Sequence, residues 1–191
     1  MVQLYLLDAN VLIDSHRQHH PFMYAEFHPF WKWMEKLAGL GEVRLLDVVY
    51  QELTVKPEHK PLDTLGEWVS QIFGSGIMTH KTDAIGAAFA QVQDYLVTCS
   101  CYGADAIKEW EKETKADPWL IAAAMANDAI IVTNEVGANP QPTQPQNKEP
   151  KIPDVAHAFG VDTMNLRAFY DANGQLVARD YPIQGTLLGG D

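Results

Sequence analysis

The chain has 191 residues, 47% hydrophobic and 20% charged, which suits one folded domain with its own core and excludes a disordered chain. Its 14 Lys and Arg against 25 Asp and Glu give a net charge of −11, which argues against broad nonspecific gripping of duplex phosphates and leaves room for a site built from acids. No apolar run reaches the roughly 20 residues of a membrane-spanning helix. Residues 4–13, interrupted by Asp8 and Asn10, lack the basic leader and cleavage site of a secretory signal, so a cytoplasmic location without membrane association is expected.

In chain order, Gln3-Leu4-Tyr5-Leu6-Leu7 reads as a buried strand that stops at Asp8-Ala9-Asn10, with a helical stretch after it. A polar, aromatic loop around His19-His20-Pro21-Phe22 leads to Phe30, Trp33, Met34 and Leu37, which recur at helical spacing until Gly39 and Gly41. Residues 43–46 predict a second strand, and 48–53 open another helix. Leu62, Leu65, Val69 and Ile72 mark an amphipathic helix behind Pro61, and residues 78–80 a brief strand. Ile85, Phe89, Val92 and Leu96 share one helical face, capped by Thr82 or Asp83. A short charged helix around Trp110 precedes the helix that Asp117-Pro118 restarts and residues 120–126 extend. Residues 129–133 are the clearest strand, β-branched and bounded by polar residues.

A Pro-, Gln- and Asn-rich loop follows at 137–150, unusually long for a connection. Residues 155–159 predict a helix, 162–164 an edge strand and 166–170 a closing helical turn. The tail, 171–191, carries Asn173-Gly174, a hairpin-turn signal. Short apolar strands alternating with helices predict an α/β sandwich around a mainly parallel sheet. Ligands of such sheets gather at the carboxyl ends of the strands.

Four acids fall where that rule directs attention. Asp8 follows the first strand, Glu135 follows Val132-Thr133, and Glu52 and Asp117 lie near helix starts. Each alone is more simply a cap or a helix-dipole charge. Converging carboxylates, however, repel one another, and a hard divalent ion such as Mg²⁺ or Mn²⁺ relieves that repulsion through oxygen ligands. The remaining chemistry-bearing residues have plainer readings. Cys99 and Cys101, with no second pair for a zinc site, read as buried thiols. His16, His19 and His20 read as a solvated helix end, since no HExxH pattern joins them. Phe22, Phe27, Phe30, Trp31 and Trp33 suit core packing at their helical spacing better than base stacking.

The ordered set resembles a known family. Leu6-Leu7-Asp8-Ala9-Asn10-Val11-Leu12-Ile13 is similar to the opening of PIN domains, and Val49-Tyr50-Gln51-Glu52-Leu53 resembles their second motif. Asp117-Pro118-Trp119-Leu120-Ile121-Ala122-Ala123-Ala124 resembles the third and Ile131-Val132-Thr133-Asn134-Glu135 the fourth. Thr133-Asn134-Glu135, Lys151-Ile152-Pro153-Asp154 and the aromatic Phe30-Trp31-Lys32-Trp33 helix are similar to one branch of small prokaryotic PIN proteins, many of which are VapC-type toxins.

The resemblance implies a three-layer α/β/α sandwich with a central parallel sheet, a PIN-like nuclease domain over 1–170 that includes the 137–150 loop, and a metal-dependent endoribonuclease that is the toxin of a toxin–antitoxin pair. It implies Asp8, Glu52, Asp117 and Glu135 as catalytic metal-site acids for Mg²⁺ or Mn²⁺, Asp154 as a further metal acid or a helix cap, and Asn10 and Thr133 as residues that orient ligands. Arg17, Lys32, Lys56, Lys60 and Lys151 are candidate phosphate contacts. An RNA substrate, an antitoxin and a homodimer are the expected partners. Glu135 stands where most relatives carry Asp, and the 137–150 loop interrupts the region behind it. The alternative is a non-catalytic PIN-like module that binds RNA or protein. A haloacid-dehalogenase-type phosphatase needs an aspartate at position 10, which is Asn, and no GxGxxG supports a dinucleotide enzyme.

Overall fold

The apolar runs pair as strands and the amphipathic runs coil against them. A computed structural model describes residues 2–55, 61–145 and 148–180, with side chains through 174. Strands β1 (Tyr5–Leu7), β2 (Val43–Arg44), β3 (Ile130–Val132) and β4 (Thr163–Met164) form a parallel sheet in the order β2-β1-β3-β4. Register pairs Leu6 with Arg44 and Ile131, and Val132 with Met164. β1 is buried throughout, as a central strand covered on both faces must be. Because all pairs are parallel, every strand delivers its carboxyl end to one edge.

Helices α1 (Ala9–Asp14), α2 (His28–Gly39), α3 (Asp47–Thr54), α4 (Thr64–Phe73) and α5 (Asp83–Thr98) follow in the first half. Then come α6 (Ala104–Trp110), α7 (Ala116–Asn127), α8 (Ile152–Ala158) and α9 (Leu166–Asp180). The Ala-rich α7 is buried along most of its length and joins α3, α5 and α8, its small side chains permitting close approach. Asp128, left-handed at φ 50°, ends α7 and turns the chain into β3. On α2, Phe30, Trp31 and Trp33 are buried, and Trp33 stacks on Tyr170 of α9 at 4.6 Å. Core packing accounts for these aromatics. The fold is the three-layer α/β/α sandwich with a parallel sheet.

Several local expectations change. Asn173-Gly174 does not turn a hairpin: α9 runs through it, Asn173 Nδ2 donating to the Phe169 carbonyl at 3.0 Å. Packing of Phe169 and Tyr170 on α2 outweighs the local turn signal; residues 181–191 lie outside the described residues. The strand expected at 78–80 is a single parallel bridge, Met78 with Leu46. Helix α8 begins at Ile152, three residues early, because Pro153 fits its first turn; its N-cap is Lys151, not Asp154. His20 does not sit at a solvated helix end. It stacks on Phe30 at 4.1 Å, and burial holds its imidazole below the ordinary value. Cys101 is buried and Cys99 half-buried, both free thiols. Among the described residues, no helix is long and apolar enough to cross a membrane.

Candidate active site

The sheet's carboxyl edge begins with Asp8, the first residue past β1 and the N-cap position of α1. Its carboxylate makes no side-chain capping bond and turns instead toward β3, where the buried Thr133 hydroxyl donates to Oδ2 at 2.7 Å. Asn10 Nδ2 donates to the same oxygen at 3.2 Å. Asn10 and Thr133 therefore both hold Asp8. Thr133 also shapes the strand exit, because its Oγ1 accepts the Glu135 amide at 3.1 Å.

Asp8 is 5% exposed, and its carboxyl is pushed up to about 6. Burial is the main cause; the Thr133 bond opposes it, and the charges of Asp117 and Glu135 add to it. Asp117, in the first turn of α7, is also raised, chiefly by burial, with Lys115 opposing and Glu135 and Glu149 adding. Glu52 lies in the last turn of α3, not near its start, and on the helix's open side, yet partial burial of its carboxyl and then the charge of Asp117 raise it. Asp8 thus senses Asp117 and Glu135, Asp117 senses Glu135, and Glu52 senses Asp117.

Two lysines answer part of this charge. Lys115, the N-cap residue of α7, lies 3.1 Å from both Asp117 Oδ2 and Glu149 Oε2. Burial pulls its ammonium down, but Asp117 and Glu149 outweigh that and hold it above the ordinary value. Lys151 Nζ lies 2.6 Å from Glu135 Oε1, while Glu135 Oε2 accepts the Ile152 amide at 2.9 Å. Glutamate at 135, one methylene longer than aspartate, thereby reaches the first amide of α8. Glu149 and Lys151 both belong to the stretch where the long loop rejoins the fold, so that loop is fastened to the acids.

The other expected residues divide. Asp154 accepts the Ala138 and Asn139 amides at 2.7 and 3.1 Å, anchoring the loop's outgoing limb. Gly137 permits this, since a Cβ there would stand 2.6 Å from Asp154 Oδ1. Arg17 is exposed on the π-helical turn Ser15–His19. Lys32 pairs with Glu35 on α2, and Lys56 and Lys60 lie outside the described residues. Sequence reasoning missed Lys115, although its place two residues before Asp117 was a signal.

The donor chemistry, hard oxygens crowded until their proton affinities rise, fits a divalent cation. Among the described residues, no three His, Cys, Asp or Glu side chains stand close enough together to hold one ion as they are now turned. The acids lean instead on Lys115, Lys151 and Thr133.

A family described as a domain of unknown function, DUF4411, matches residues 5–175. The chain belongs to the DUF4411 family. No curated protein matches the sequence. Among solved structures, the DUF4411 chain is similar in fold to the crystal structure of FitAcB from Neisseria gonorrhoeae, with 17% identity and a TM-score of 0.50 over 85% of this chain and 97% of that one. FitAB bound to an IR36 DNA fragment gives 20% identity and a TM-score of 0.49 over 85% and 94% of the two chains. VapBC2 from Rickettsia felis, bound to a DNA fragment from its promoter, gives 15% and 0.49 over 85% and 98%.

Proposed function

We propose that this chain is a Mg²⁺- or Mn²⁺-dependent endoribonuclease that hydrolyses phosphodiester bonds of single-stranded or looped RNA, and that it is the toxin of a toxin–antitoxin pair. One observation carries the reading: a buried Asp8 at the end of the central strand, raised to about 6 and coupled to Asp117 and Glu135. A fold does not keep such a carboxylate for stability, and perturbed acids at a strand's carboxyl end mark functional sites. The likeness in fold to FitAcB and the sequence resemblance to VapC-type toxins support the toxin assignment.

In this reading Asp8, Glu52, Asp117 and Glu135 hold the cation. When bound, the ion supplies positive charge for the phosphoryl oxygens and makes water a nucleophile at neutral pH. Thr133 and Asn10 fix the orientation of Asp8. Lys115 and Lys151, released as their acids turn to the ion, become partners for phosphate. Asp154 stays with the loop. Splayed bases, rather than a duplex, suit a protein of net charge −11.

The test is cleavage of RNA by purified protein freed of any antitoxin, with Mg²⁺ or Mn²⁺ and with a chelator. Metal-dependent cleavage lost in Asp8→Asn supports the proposal; folded protein that cuts no RNA with either ion overturns it. One observation favours the second reading, a non-catalytic RNA- or protein-binding module: the paired lysines satisfy Asp117 and Glu135 without any ion. Retention of RNA without cleavage would select it.

A further inference from the structure

Next to the acids, a groove of about 620 Å³ opens between α3, the 80–81 segment and the 113–114 segment before α7. It shares Glu52 with the acid set. On its wall stands His80, 7% exposed, with its ring 4.6 Å from Trp119 on the helix that Asp117 opens. His80 Nδ1 is 2.7 Å from Asp47 Oδ1. That oxygen also accepts the amides of Val48 and His80 at 2.9 and 3.1 Å, and Asp47 Oδ2 accepts the Thr79 hydroxyl at 3.1 Å.

A carboxylate serving four donors is committed to accepting, so the proton of that bond belongs on Nδ1, and Nε2 is the ring nitrogen left for another partner. Among the described residues, Nε2 has no hydrogen-bond partner. Tethering the 78–80 segment to α3 explains Nδ1. His80 lines the groove and its Nε2 is not sealed from solvent, so that nitrogen is open to a donor that enters there.

The rest of the lining narrows the ligand. Among the described residues of the lining, Glu52 and Glu113 add carboxylate acceptors against the single cation Lys81, so the groove disfavours a phosphate. Val48 and Val55 supply apolar wall, and Val55 is 69% exposed despite being apolar. A flat body with apolar faces and donors on its edge matches that lining. We infer that this groove is a subsite for a nucleobase bearing an exocyclic amino group, next to the scissile phosphate, with His80 Nε2 accepting from it. Adenine, cytosine and guanine qualify. Uracil, whose exocyclic groups are all carbonyl acceptors, meets the carboxylates unfavourably. The inference rests on the ribonuclease reading and adds a substrate preference to it.

The experiment uses single-stranded oligoribonucleotides that differ only in the base at each position around the cut, with kcat/KM measured for each. At one position, amino-bearing bases should exceed uracil by about 10-fold or more, the size of effect a lost polar contact produces in a site built for it. His80→Gln should flatten that ratio, and so should Val55→Trp, which fills the groove from an exposed position and does not disturb the core. Folding of both is checked by thermal melting. Wild type that cleaves without base preference, or an unchanged ratio in both variants, overturns the subsite alone. Folded wild type that cleaves no oligonucleotide overturns the ribonuclease reading, and the subsite with it.

Discussion

The two ends of the sheet are made by the same four strands and use their acids in opposite ways. At the amino end, Asp128 and Asp162 are exposed residues of the connections, and the strands start with inter-strand backbone bonds, Tyr5 N–H to the Glu42 carbonyl and Ile130 N–H to the Leu4 carbonyl. At the carboxyl end, Asp8 is buried, and the side chains of Asp117 and Glu135 are only 19% and 14% exposed. Turn-forming acids cost the fold little because water solvates them. Buried, mutually repelling acids cost stability, and the proposed cation site is what that cost would serve.

The sharpest way to break this contrast is to neutralise acids at each end. Asp8→Asn or Asp117→Asn should lower RNA cleavage by about a thousand-fold or more, by analogy with removal of a single charge-stabilising group. Asp128→Asn and Asp162→Asn should leave initial rates unchanged.

Stability should move the other way. Asp8 binds its proton more tightly folded than unfolded, so this group's contribution is fully present below pH 3.8 and is lost as pH rises through about 6. In metal-free protein, Asp8→Asn should therefore stabilise by up to about 3 kcal/mol at neutral pH and by nothing in strong acid. Denaturant melts of both proteins across pH check this. The difference between them isolates Asp8 from His16 and His20, whose lowered values pull stability down in acid.

Smaller effects should come from the loop. Gly137→Ala pushes a Cβ against Asp154 and frees the Ala138 and Asn139 amides. About 1 kcal/mol of stability should be lost, with faster proteolytic nicking within 138–150. The smallest effect should be that of Lys115→Met, which removes the internal counter-charge of Asp117. Mn²⁺ affinity should rise a few-fold, the scale of a partly exposed ion pair, while RNA affinity falls.

Three of the four acids were legible because they sit at boundaries that local sequence marks: an apolar strand ending at Asp8, a β-branched strand ending at Thr133 just before Glu135, a proline restarting a helix at Asp117; Glu52, in the last turn of α3, carries no such mark. Parallel pairing then brings those boundaries to one edge without further instruction. The long-range pairs were not legible, because Lys115 meets Glu149 across 34 residues and His80 meets Asp47 across 33, distances over which no periodicity speaks. Asp154 read as a cap or a metal ligand because its loop partners lie 15 and 16 residues upstream. Asn173-Gly174 misled for the converse reason: its local turn signal yields to the aromatic seam between α2 and α9.

The central claim, that Asp8, Glu52, Asp117 and Glu135 form one cation site, is tested most directly by calorimetric titration of Mn²⁺ into metal-free wild type and into Asp8→Asn/Asp117→Asn. Saturable binding to the wild type that disappears in the double variant is the predicted result. Folded wild type that binds no Mn²⁺, or equal binding by both proteins, would contradict it.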